Sequence, residues 1–222
     1  IMTIKFLDLY NDVASQPWSM FDSGAENKED FEPALVSSIN KAIIDIWYSY
    51  PFSFRLKKYV FSTLPNLNSY NLPNGNLLNE SSIQDNLFAV YLDKKHLEYN
   101  TDSTYSDSKG TPEEFDIEED NIKLFPTPDK RYKVTMKYLS LSIGFDKNDN
   151  EIFYLENPTD YIDIPQKYET LFKNTVLAKA LVDSIASVND ENYAGYRLQF
   201  DKAYKLLIKT TNPIKKSMSI NY

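Results

Sequence analysis

The spacing of apolar residues changes twice along this chain of 222 residues, and that change limits its fold more than any other feature. Near both ends, apolar residues recur every three or four positions, which is the period of an amphipathic helix. Between the ends they alternate with polar residues, which is the period of a half-buried strand. The pattern predicts an α+β fold: a helical bundle formed by the N- and C-terminal helices, with an antiparallel β-rich domain inserted between them.

The helical segments define the expected domain boundaries. The sequence predicts a short helix over 3–15 and a second from Glu29 to Pro51. A later helix begins at Ile164-Pro165, since proline fits the first turn of a helix, and the last one ends at Asn212-Pro213. We therefore predict N-terminal helices at 1–52, an inserted β-rich domain at 53–163, a C-terminal helical hairpin at 164–211 and an extended tail at 212–222.

Strand-like alternation is clearest in the middle of the chain. Residues 132–138 place aromatic and aliphatic side chains on one face and Lys133, Thr135 and Lys137 on the other. The run 87–92 is continuously apolar and predicts a buried strand. Residues 115–124 carry two short apolar runs around an acidic centre, which predicts a hairpin with a charged tip. The sequence DKNDN at 146–150 predicts a turn.

The composition lacks most of the side chains that enzymes use as nucleophiles, bases and metal ligands. The chain has no cysteine and one histidine, His96, so thiolate nucleophiles, Ser-His-Asp sets and multi-histidine zinc sites are disfavoured. The stretch Lys109-Gly110-Thr111-Pro112 has too little glycine for a phosphate loop. We expect His96 on the surface, no catalytic residue, no cofactor and no metal. A hydrolase built on two carboxylates is the weakest alternative, because no spacing singles out a pair.

Charge bears on possible partners. Lysine and arginine number 24 against 32 acidic residues, giving a net charge of −8, which argues against tight binding to a nucleic-acid backbone. The densest acidic run, Glu113 to Asp120, predicts a solvated hairpin tip; a cation site is the alternative, disfavoured because no glycine bends the run into a ligand loop. No apolar run approaches a membrane span, and no signal peptide is expected at the N-terminus.

An ordered series of turn motifs resembles a known family. The chain resembles the head-to-tail adaptor (connector or ring) proteins of tailed bacteriophages, of the short-tailed or crAss-like type, over about residues 35–190. One departure is the acidic Glu119-Asp120-Asn121, where the family tends to have a glycine. The motifs that carry the resemblance are Tyr50-Pro51-Phe52, Tyr70-x-Leu72-Pro73, Gly110-Thr111-Pro112 with Phe115, the run Ile122 to Asp129 leading into Tyr132-x-Val134-x-Met136-x-Tyr138, and Ile164-Pro165 before Tyr168.

The resemblance implies a non-enzymatic virion protein at the head–tail junction, made in the host cytoplasm. Such subunits typically form twelve-membered rings of identical copies that bind the portal protein and further tail or ring proteins. DNA passes through the ring without sequence-specific binding, and no membrane is involved. The alternative is a phage tail or baseplate protein, or a carbohydrate-binding module that uses faces of its 17 tyrosines.

The C-terminal tail is the candidate contact with the portal. It follows the last predicted helix, has no helical or strand period, and combines two lysines with apolar anchors. Such a short basic segment with apolar side chains suits ordering on a partner. The candidate contact residues are Ile214, Lys215, Lys216, Met218 and Ile220.

Overall fold

A computed structural model defines the fold over most of the chain. Its described residues divide into two compact units. The first unit contains the chain up to Phe54 and again from Ser142 to the end of the last helix, and the second contains the chain from Arg55 to Leu141. The described residues are 4–16, 23–72, 87–100, 108–118, 121–184 and 193–211.

Helices form where the sequence has its helical period. The second helix has Pro33 in its first turn, where the missing N–H is not needed, and it stops before Pro51. It begins later than the predicted Glu29 because residues 28–30 form a separate 3-10 turn with an Asn27–Asp30 capping box. The described α-helices are α1 Phe6–Ala14, α2 Pro33–Ser49, α3 Gln166–Ser184 and α4 Tyr193–Thr211.

The strands are short and most of their pairings are antiparallel. Two short pairings, β6 with β8 and β7 with β10, are parallel. The predicted α+β class is confirmed. The described strands are β1 Ile4–Lys5, β2 Leu56–Ser62, β3 Ser69–Asn71, β4 Leu87–Leu92, β5 Lys95–His96, β6 Glu98–Tyr99, β7 Lys109–Gly110, β8 Glu114–Glu118, β9 Asn121–Phe125, β10 Thr127–Pro128, β11 Lys133–Leu139, β12 Gly144–Phe145, β13 Glu151–Ile152 and β14 Tyr161–Ile162.

One apolar core holds the first unit together, and all four helices contribute to it. The indole of Trp47 on α2 lies edge-on to Phe172 of α3, with the ring centroids 5.9 Å apart. Phe52 and Phe54 stack at 5.0 Å beside them. Burial of several aromatic side chains, each worth about 1.5–3 kcal/mol, makes this cluster a major source of the unit's stability.

A small sheet in the order β1-β14-β12-β13 completes the first unit. Ile4 and Lys5 pair with Ile162 and Tyr161, so the chain start is joined to a segment more than 150 residues later. Gly144 is required where β12 meets β14, because a Cβ there would lie 2.5 Å from the carbonyl oxygen of Tyr161.

The second unit is built around two four-stranded sheets. Strand β11 lies between β2 and β4 in the order β2-β11-β4-β5, and the other sheet has the order β3-β9-β8-β6. The alternation predicted for 132–138 is confirmed, although Thr135 on the lysine face is also buried because β11 has neighbours on both sides. The predicted hairpin is β8 paired with β9. The core of this unit includes Leu87, Val90, Leu92, Phe115, Ile117, Ile122, Leu124, Val134 and Met136.

A buried amide links α2 to the segment after β13. Asn40 is fully buried, and its Nδ2 donates to the carbonyl oxygens of Val36 and Leu155, each at 2.9 Å. Its Oδ1 accepts the N–H of Leu155 at 2.8 Å. Since Leu155 is itself buried, this side chain replaces the water that its backbone would otherwise need.

We predict that Asn40→Ala lowers the free energy of unfolding by about 3 kcal/mol, because it leaves a buried N–H and a buried C=O unpaired. Denaturant unfolding measures the difference. The exposed neighbour Lys41→Ala is the matched control and should change the value by less than about 0.5 kcal/mol. An Asn40→Ala variant as stable as the control would contradict this role.

Candidate interaction surfaces

The acidic run at 113–118 does not gather its carboxylates into one site. Glu114 and Glu118 lie on the outer side of β8, and the step of four residues from one to the other corresponds to about 13 Å along a strand. Glu113 instead pairs with Lys95, its Oε1 lying 2.6 Å from the Lys95 ammonium, and this hydrogen bond lowers the pKa of the Glu113 carboxyl. Lys123 pairs with Glu118. The alternative cation site stays untested, since 119–120 lie outside the described residues.

The predicted turn at 146–150 is confirmed, and its carboxylates accept hydrogen bonds from the turn itself and from Tyr161. The Asp146 carboxylate accepts the backbone N–H groups of Asn148 at 2.7 Å and Asn150 at 2.9 Å, together with the Asn150 side-chain amide. Hydrogen bonds from Asn150, the side-chain one first, lower the pKa of Asp146. Asp149 accepts a hydrogen bond from the Tyr161 hydroxyl, which raises the pKa of Tyr161 to about 12.

His96 is half-buried on β5 and not fully on the surface as expected. Its ring lies edge-on to Tyr91 with centroids 5.5 Å apart. Its Nε2 has no hydrogen-bond partner among the described residues. The contact with Tyr91 across the β4–β5 pair is a packing contact, and no described acidic side chain holds the imidazole as a general base requires.

An exposed apolar and basic face runs along α4. Leu198 is 53% exposed and Leu206 is 49% exposed. A helix turns by about 100° per residue, so these leucines lie away from the inward-facing Phe200 and Leu207. Lysines share this outer side. The residues of the basic face are Leu198, Lys202, Lys205, Leu206 and Lys209.

A second exposed surface of the first unit is acidic and aromatic. Phe153 is 47% exposed and Tyr154 is 39% exposed, directly after β13. Two residues later, Glu156 lies 3.2 Å from Lys28, so the 151–160 segment lies beside the 23–32 segment. These two segments contain seven acidic residues against the single lysine. The residues of the acidic edge are Glu26, Glu29, Asp30, Phe153, Tyr154 and Glu156.

The second unit exposes apolar side chains along an edge strand. Among the described strands, β2 pairs with β11 alone and so lies at the edge of its sheet. Val60 on this strand is 42% exposed, and Leu64 and Leu67 in the following turn are exposed to a similar degree. Lys57 and Lys58 precede them, and lysines on edge strands commonly prevent unintended pairing with a strand of another molecule.

Two absences apply to the described part of the chain. Within those stretches, no three histidine or acidic side chains come close enough together to hold a metal ion. None of the four helices combines the length and apolar composition that crossing a membrane requires.

The predicted portal contacts lie outside the described residues. They are Ile214, Lys215, Lys216, Met218 and Ile220, and their role stays a prediction. The sequence did not single out the basic face or the acidic edge. The sequence of α4 does contain a signal for the basic face: Leu198 and Leu206 do not share the helical spacing of the buried Phe200 and Leu207, so they lie on another side of the helix.

The class of the protein follows from its match to a known family. Its described residues leave large apolar side chains exposed on separate surfaces, which are available for contact with partners. The family model described as SU10 adaptor protein matches residues 4–217, and the chain belongs to this family. It is a phage adaptor, a structural protein, and the resemblance drawn from the turn motifs is confirmed. No curated protein matches the chain.

We predict that the Asp146 turn stabilises the fold in a pH-dependent way. Because the folded-state pKa of Asp146 lies below its ordinary value of 3.8, its contribution is present above that value and is lost as the pH falls through the folded pKa. Asp146→Asn should therefore lower the thermal midpoint at pH 7.

The difference between Asp146→Asn and the wild type should shrink as the pH falls below 3.8 and should be lost below the folded-state pKa of Asp146. Lys147→Gln, a change in the same exposed turn, is the control and should match the wild type throughout. A difference that stays constant from pH 7 to pH 3 would mean that the charge of Asp146 is not responsible.

Proposed function

We propose that this adaptor forms a closed ring of twelve identical subunits that joins the portal to the tail at the head–tail junction of the virion. The observation that carries the proposal is the family match over 4–217. The function it supports is mechanical: to extend the portal channel, to present a surface for further tail or ring proteins, and to let DNA pass.

The charge of the chain supports passage of DNA without capture. A protein that neutralises several phosphates with lysine and arginine holds DNA tightly at moderate salt. This chain has an excess of eight acidic charges, so a channel built from many copies repels the DNA backbone overall. Sequence-specific contact is not needed for such a role.

The described surfaces of the first unit support assembly. A ring of identical subunits needs two different patches on each copy that fit each other, because a head-to-tail contact joins unlike surfaces. The basic face of α4 and the acidic edge are two such unlike patches, and both carry exposed apolar side chains.

The tail supplies the proposed contact with the portal. Ile214, Met218 and Ile220 are apolar anchors, and Lys215 and Lys216 add local positive charge in an acidic protein. Burying one such anchor contributes about 1.5 kcal/mol or more, which is about tenfold in affinity.

Deletion of residues 213–222 should therefore weaken binding to portal by at least tenfold. Co-sedimentation with purified portal measures this. The thermal midpoint of the truncated protein should equal that of the full chain, because the deleted residues follow the end of α4 at Thr211.

A Lys215→Gln, Lys216→Gln variant separates the two kinds of contact. It keeps the apolar anchors, so it should retain most of the binding and make it less sensitive to salt. Unchanged co-sedimentation of the truncated protein would exclude the tail as the portal contact. Failure of the full-length protein to co-sediment would count against the adaptor role itself.

A further inference from the structure

Among the described residues, helix α4 packs against its own subunit through one side. Phe200 and Leu207 are buried in the core of the first unit. The hydroxyls of Tyr204 and Ser49 lie 2.6 Å apart, and Ser53 donates to the carbonyl oxygen of Thr211 at 2.8 Å. These contacts fix the inner side of the helix, while Leu198 and Leu206 remain about half exposed to solvent.

The outer side of α4 is purely cationic in its charge. Lys202, Lys205 and Lys209 lie on the basic face, which contains no acidic residue. The one aspartate of the helix, Asp201, is turned to the flank and lies 3.4 Å from Arg197 one turn away. A partner that covers the two leucines must therefore present negative charge as well as apolar surface.

The acidic edge of another copy of the same chain has both properties. Phe153 and Tyr154 are its exposed apolar side chains. Glu26 and Glu29 are exposed on the 23–32 segment, which the Lys28–Glu156 ion pair joins to the 151–160 segment, and that ion pair already uses the single lysine of the two segments. The backbone of the aromatic pair is anchored next to it by the Leu155–Asn40 hydrogen bonds, so the surface is preorganised.

We infer that in the assembled ring the basic face of α4 docks onto the acidic edge of the neighbouring copy, with Leu198 and Leu206 against Phe153 and Tyr154. This contact rests on the proposed ring. It is head-to-tail, because two basic faces or two acidic edges would repel each other, whereas a basic face and an acidic edge attract. Apolar burial supplies most of the free energy, and the exposed charges set the orientation and make assembly weaken as salt increases.

The absence of cysteine in the chain allows a direct cross-linking test. Leu206→Cys and Tyr154→Cys are placed singly and together, and the protein is treated with a flexible bismaleimide under the conditions in which it assembles. The double variant should give a ladder of covalent oligomers. A mixture of the two single variants should stop at dimers, and each single variant alone should give none.

A second pair of variants tests the charges. Lys202→Glu with Lys209→Glu should reduce ring formation at least tenfold, and adding Glu26→Lys with Glu29→Lys to the same chain should restore it. Lys41→Glu, an exposed lysine on α2, is the matched control and should leave the ring intact. Thermal midpoints check that all of these exposed changes leave the fold unaltered.

The outcomes separate this contact from the ring itself. A wild-type protein that forms no ring, alone or with portal, overturns the proposed ring and this contact with it. A wild-type ring that survives the double lysine reversal, or dimers from a single-cysteine variant without the ladder from the double variant, overturns this contact alone.

Discussion

The first unit depends on an apolar core to which residues from both halves of the sequence contribute. Trp47 from α2 and Phe172 from α3 meet there, although 125 positions apart, and the 55–141 stretch of the chain lies between them in sequence. Forming the core therefore brings distant segments together, and this costs conformational entropy of loop closure. The free energy of the aromatic contacts offsets that cost. The polar contacts follow the same plan: Asn40 binds Leu155, and Lys179 of α3 lies 2.8 Å from Asp45 of α2.

This arrangement explains why the first unit leaves the outer side of α4 exposed for contact with a partner. The apolar faces of α1, α2 and α3 pack into the core, whereas α4 packs through one side and buries Phe200, Leu207 and Thr211. A helix held in this way is stable through its inner side and can use its outer side for a partner. The Lys179 ammonium shows the opposite case, a charge turned inward: burial works against its charge, but the hydrogen bonds that it donates to Asp183 and Asp45 outweigh burial and raise its pKa.

The helices and the main strands could be predicted because their signals are local. The three-to-four spacing of Leu35, Ile39 and Ile43 gives α2, and the alternation of Val134 and Met136 gives β11. The pairing of Ile4 with Ile162 could not be predicted, since two residues carry no period and their partner is far away in sequence. Periodicity also says which side of α4 faces inward but not that Leu198 and Leu206 stay uncovered, because exposure depends on the whole tertiary structure.

Electron microscopy of the purified protein, with and without portal, would show directly whether this adaptor acts as a ring. A ring-forming adaptor should give ring-shaped particles with an open central channel, formed by the protein alone or when portal is added, with subunits repeated around the axis. Single subunits without rings in both preparations, or portal particles that carry no added density, would contradict it.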